Sequence, residues 1–158
     1  MNLNPKFPLF LPGVKNSSNN NISIIGANLR EDVTTVAHYI SQNGGVELKT
    51  KEDFATRDFS DFSEILTQFM QKNAISDAKR LGISVPGPVL NGRSLPARIG
   101  WDIDEADYQT KFGFEKVYLL NDQEAAAYGI GLLQDADLDP IYTSGHLEKG
   151  NVAILAPG

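Results

Sequence analysis

The sequence predicts a mixed α/β domain with parallel strand pairing, and three observations carry that reading. Phe62, Ile65, Leu66, Phe69 and Met70 recur at the spacing of one helix face. Arg80 to Val85 forms a compact strand that Pro86-Gly87-Pro88 stops. Val117 to Leu120 is an apolar strand that runs through Asn121-Asp122 into a strong helix former, Glu124 to Leu133. Strands that alternate with helices imply a sheet with some parallel neighbours.

The elements follow in order. Asn16-Ser17-Ser18-Asn19-Asn20-Asn21 is a polar low-complexity run, so residues 1–21 read as an arm and linker and 22–158 as the folded body. Ile22 to Ile25 reads as a short buried strand. Thr34 to Ile40 and Val46 to Thr50 read as a hairpin turned at Gly44-Gly45. Ser60 is the predicted N-cap of the helix running to Lys72, with Asp61 and Glu64 favouring its start. Val89 to Leu95 is a turn-rich ribbon, and Asp104 to Lys111 a short helix ending at Gly113. Asn151 to Ala156 reads as a last strand before Pro157-Gly158, like a sequence cut at a domain boundary.

Composition narrows the function classes. A chain of 158 residues suits one domain. Its net charge of −6 argues against a broad nucleic-acid surface. Cysteine is absent, which removes disulfides and thiolate zinc sites. Phe7 to Pro12 is apolar but short and broken by prolines, and no run approaches the ~20 apolar residues of a membrane span. The default expectation is a cytoplasmic protein with no membrane or nucleic-acid partner.

Asn121-Asp122 is the pair that points to chemistry. It lies at the carboxyl end of a strand, where open α/β sheets hold ligands. There a carboxylate can act as a base toward a bound hydroxyl, and an amide can orient that hydroxyl. Asp122 is equally a good N-cap for the following helix, and one carboxylate can serve both ends. The acidic group Asp102, Asp104, Glu105 and Asp107 is most simply a helix N-terminus. His38 and His146 are too far apart in sequence to suggest a ligand cluster, and no metal site is expected from side chains.

Gly82-Ile83-Ser84-Val85-Pro86-Gly87-Pro88-Val89, Trp101-Asp102-Ile103-Asp104, Leu119 to Ile130, and Gly150 to Gly158 occur in that order. Together they resemble the N-terminal half of bacterial glucokinases. The resemblance implies an actin-like, ribonuclease-H-like fold: an N-terminal lobe with a mixed β-sheet flanked by helices. It implies phosphoryl transfer from ATP, with magnesium, to the 6-hydroxyl of glucose. Asp122 takes the position of the catalytic base, and Asn121 that of a sugar ligand. A second lobe completes the family's cleft, so the 158 residues alone are expected to show no turnover. An exposed missing-partner face would also allow self-association into a homo-oligomer.

Three departures qualify that picture. The family's Asp-x-Gly-Gly-Thr phosphate turn falls on Asn28-Leu29-Arg30-Glu31-Asp32. Asn28 loses a carboxylate that could engage the metal, and Glu31 and Asp32 add charge beside phosphate oxygens. Arg and Glu also replace glycines that allow φ > 0 and close backbone approach. Arg30 could offset this by pairing with a phosphate. Ala97-Arg98 stands where the family has Thr-Asn ahead of the Trp; Arg98 reads as a contact to a sugar or anionic group, or as a solvated loop residue. The family's second phosphate loop, a Thr-Gly-x-Gly run, would begin right after Gly158. The alternative expectation is therefore a degenerate, non-catalytic relative that binds sugar or a protein partner.

Overall fold

The computed structural model describes residues 19–42, 45–131, 133, 135–139, 141, 142 and 153–155. Seven strands and three helices occur among them: β1 (Ser23–Asn28), β2 (Val33–Gln42), β3 (Gly45–Ala55), α1 (Phe62–Lys72), β4 (Arg80–Val85), β5 (Arg93–Ser94), β6 (Ile103–Asp104), α2 (Glu105–Phe112), β7 (Lys116–Asn121) and α3 (Asp122–Ile130). The main sheet has the order β3-β2-β1-β4-β7. β1 pairs antiparallel with β2, and β2 with β3. β4 lies parallel to β1, and β7 parallel to β4. This is the actin-like α/β arrangement that the sequence implied.

One face of the sheet carries the core. Burial alternates along β1 and β4 with the period of a strand. Ile25, Leu81, Ile83, Val85 and Leu119 from the strands meet Phe62, Ile65, Leu66 and Phe69 of α1. Tyr108 of α2 joins them, its ring 5.5 Å from that of Phe62. Burial pushes the Tyr108 hydroxyl up to about 12, against the opposing hydrogen bond with Ser63.

Several boundaries move. The N-cap of α1 is Asp61, not Ser60; its carboxylate accepts from the Ser63 and Glu64 amides. Ser60 instead donates its hydroxyl to Glu64 at 2.7 Å. β1 extends through Gly26-Ala27-Asn28 because both neighbouring strands pair with it. α3 stops at Ile130 rather than Leu133 and buries none of its residues. Residues 153–155, within the last predicted strand, are not in a strand. The turn at Gly44-Gly45 lies partly outside the described residues. No helix among the described residues is long and apolar enough to cross a membrane.

Candidate active site

The parallel strands β1, β4 and β7 end side by side, and their carboxyl ends bring the candidate residues together. Asn28 closes β1 opposite Ser84 of β4. Val85 of β4 lies opposite Asn121, the last residue of β7. Neighbouring strands sit about 4.8 Å apart, so Asn28 and Asn121 are separated by roughly 10 Å across the sheet. The result is a ledge rather than a pocket. Two surface hollows, one of them about 530 Å³ and lined by Met70, Ile75 and Phe112, lie along the helices away from this ledge.

Asn121 caps α3, which corrects the expectation that Asp122 would do so. Asn121 has extended backbone, and its Oδ1 accepts from the Gln123 amide at 2.9 Å. Its Nδ2 donates to the Gly87 carbonyl at 2.8 Å. Those two bonds fix the amide plane and leave one N–H and one lone pair for a ligand. They also use Gly87, whose φ of 124° lets the loop after β4 turn its carbonyl toward β7. Asp122 is the first residue of α3. Its Oδ1 also accepts from the Gln123 amide, at 2.9 Å, while the side chain stays exposed. That bond uses one carboxylate oxygen and leaves the other available to a ligand.

The altered turn, Leu29 to Asp32, joins β1 to β2. Leu29 is fully buried and donates its amide to the Ser84 carbonyl at 2.9 Å, extending the parallel ladder by one step. Thr56 anchors the far side: its hydroxyl donates to the Arg30 carbonyl at 2.7 Å and its amide to the Asp32 carbonyl at 3.1 Å. Nothing in the sequence singled out Thr56. Arg30 and Glu31 are not among the positive-φ residues, so these side chains sit in the turn without the backbone strain their identity suggested.

Arg98 reaches that same turn. Its Nη1 lies 3.5 Å from Glu31 Oε2, and Arg30 Nε lies 3.7 Å from Asp32 Oδ1. Both guanidinium groups therefore already face a carboxylate. A triphosphate would meet two competing acids and no uncommitted cation on this turn, so the residues present do not fit it. Gly158 lies outside the described residues, as does His146.

The remaining candidates resolve as structure. Asp104 caps α2 through the Ala106 amide, and Arg93 pairs with Asp102 at 2.9 Å and Asp104 at 3.0 Å. His38 hydrogen-bonds Ser23 at 2.8 Å. No group of three or more potential metal ligands occurs among the described residues.

Known proteins resemble this chain in sequence and in fold. The glucokinase of Nostoc punctiforme is 26% identical over 118 residues, covering 75% of this chain and 35% of the relative. The glucokinase of Saccharophagus degradans is 33% identical over 76 residues, 48% of this chain and 24% of the relative. The chain thus spans about a third or less of the length of these curated relatives. Among solved structures, a glucokinase from an Antarctic psychrotroph superposes with a TM-score of 0.67 at 18% identity, over 72% of this chain and 36% of that one. A putative sugar kinase from Cytophaga hutchinsonii gives 0.57 at 20% identity, over 72% and 40%. At such identities the superpositions speak for the fold. The glucokinase family model matches residues 32–158, most of the sequence and all of β7 and α3, and the chain belongs to the glucokinase family.

Proposed function

We propose that residues 22–158 form the N-terminal lobe of a sugar kinase that phosphorylates the 6-hydroxyl of glucose. The placement of Asn121 and Asp122 at the strand ends carries this reading. Asn121, with its amide plane fixed by Gln123 and Gly87, holds a sugar hydroxyl through its remaining donor and acceptor. Asp122 accepts the proton of the attacking hydroxyl as that oxygen bonds to phosphorus. A ROK-family neighbour with a TM-score of 0.52 was solved in complex with sucrose, which supports a small sugar as the ligand class. Arg98 stands at the rim of the same ledge and is the proposed outer sugar contact. ATP with magnesium is the donor that family membership suggests. The β1–β2 turn does not fit its phosphates, so no step is assigned to this turn.

The test is a phosphorylation assay on the natural full-length protein. Asp122→Ala is expected to lower turnover by at least ~100-fold, the low end for general-base removal. Asn121→Ala is expected to raise the glucose KM. Equal turnover in Asp122→Ala and wild type would sink the assignment.

The acidic β1–β2 turn favours a second reading, a degenerate non-catalytic relative that binds sugar or a protein partner. Glucose binding alone does not separate the two readings. They part on turnover and on Mg-ATP affinity, and tight Mg-ATP binding by the natural protein would count against the second.

A further inference from the structure

We propose that Glu105 is a positioning residue for the Asn121–Asp122 pair, a role that rests on the sugar-site reading of that pair. Glu105 is the first residue of α2, but the cap of that helix is Asp104, which accepts from the Ala106 amide at 2.8 Å. The Glu105 carboxylate is therefore not needed at its own helix end. It reaches instead to β7, where Oε1 accepts from the Leu119 amide at 2.6 Å. Among the described residues β7 is the terminal strand of the sheet, with β4 on one side only. An edge strand presents backbone groups that need other partners. Here a half-buried carboxylate supplies the acceptor, and a charged acceptor makes a shorter, stronger bond than a carbonyl.

A second contact fixes where that carboxylate sits. The Glu105 amide donates to the Gly92 carbonyl at 3.0 Å. A Cβ built at Gly92 would lie 2.9 Å from Glu105 Oε2, so a side chain there would displace the carboxylate from its place, and the φ of 74° favours glycine in its own right. Gly92 is also the second residue of a tight turn in which Asn91 and Gly92 have φ of 52° and 74°. Leu90 and Arg93 exchange both backbone bonds across it, at 2.9 and 3.0 Å. Arg93 next to it is engaged by Asp102 and Asp104. Glu105 thus ties three elements: the ribbon that leads to Arg98, the start of α2, and β7. Leu119 precedes Asp122 by three residues, about 10 Å of strand. A shift of β7 at Leu119 passes along a stiff strand to the ledge.

The experiment uses the natural full-length protein with two readouts, amide hydrogen exchange at Leu119 and glucose titration by calorimetry. In Glu105→Ala, Leu119 exchange is expected to rise at least tenfold while protection in α1 and β2 stays at its wild-type level. Glucose affinity is expected to fall at least fivefold. Glu105→Gln keeps the length and a neutral acceptor oxygen, and should restore both to within about threefold. Glu105→Asp keeps the charge but falls short of Leu119, and should behave like alanine; it carries the test if the alanine variant does not fold. Wild-type exchange at Leu119 in Glu105→Ala and Glu105→Asp would overturn the proposal. So would wild-type glucose affinity in variants whose Leu119 amide has opened. If wild type itself binds no glucose, the sugar-site reading fails and the positioning role with it; the exchange readout then reports a purely structural bond.

Discussion

His38 sits half-buried on β2 with its Nε2 2.8 Å from Ser23 Oγ. Burial lowers its pKa below the ordinary value, Lys49 adds to that, and Asp77 opposes it. The fold therefore holds the neutral imidazole, while the unfolded chain binds a proton near pH 6.5. Stability from this group is present above that pH and is lost as pH falls through it toward the lowered folded pKa. Urea midpoints at pH 7.5 and 5.5 should show a larger acid loss in wild type than in His38→Gln; equal losses would refute the effect. Caps act at the same scale. Asp61→Ala should cost about 1 kcal/mol, and Ser60→Ala less, because Asp61 takes the Ser63 and Glu64 amides. Thermal melts of the two variants decide which residue is the cap. The pairs Ser60-Asp61 and Asn121-Asp122 share a lesson about legibility. Each offers two adjacent residue types that cap well, and only the backbone angles choose between them. Asp61 and Asn121 are extended, and the helix begins one residue later. Sequence located the start of α1 to within one residue and that of α3, expected at Glu124, to within two, but could not assign the hydrogen bonds. The consequence at the ledge is that Asn121 has a structural job as well as its proposed sugar contact.

At the scale of elements, burial decides what could be read. The predicted bounds of β4, Arg80 to Val85, stand because its apolar alternation ends on a proline. The stripe of α1 faces the sheet as its spacing implied, with Phe62, Ile65, Leu66 and Phe69 fully buried and Met70 at the margin. Phe69→Ala should cost about 3–5 kcal/mol, a large part of a typical domain stability of 5–15 kcal/mol. A denaturant midpoint within error of wild type would contradict the core assignment. β1 was harder to delimit. Gly26-Ala27-Asn28 has weak strand propensity, and ladders on both sides override it. Gly26 also admits the Tyr39 ring, 3.4 Å from where a Cβ would sit. α3 failed in the other direction. Its composition favours helix, yet it buries no residue, and without packing it ends at Ile130 before Gly131. Periodicity reports contacts within a chain's own core, so an element without such contacts leaves its end unmarked.

For the whole molecule, sheet order is what turns scattered residues into one ledge. The order β3-β2-β1-β4-β7 sets the β1–β2 turn two strands from Asp122 and brings Arg98 over that turn. Sequence periodicity carried the helices and strands, whereas the ordered motifs carried the family, and neither carried the pairing of Arg98 with Glu31. That contact joins positions 67 residues apart. Its parts were visible separately, as two departures from a family pattern. Joined, they make a test of whether the turn excludes phosphate. Arg30, Glu31 and Asp32 carry one positive and two negative charges. The replacement Arg30→Gly, Glu31→Gly and Asp32→Thr removes all three, frees Arg98 from its carboxylate, and opens the backbone to close approach. The turn is anchored by Thr56 through backbone carbonyls, so the replacement leaves that anchor in place. Mg-ATP titration of the natural full-length protein by calorimetry should then show at least a tenfold gain in affinity over wild type. The gain should shrink as salt rises, since exposed charges are screened within about 8–10 Å at physiological ionic strength. Equal affinity in the two proteins would mean that the substituted side chains are not what keeps phosphate from this turn.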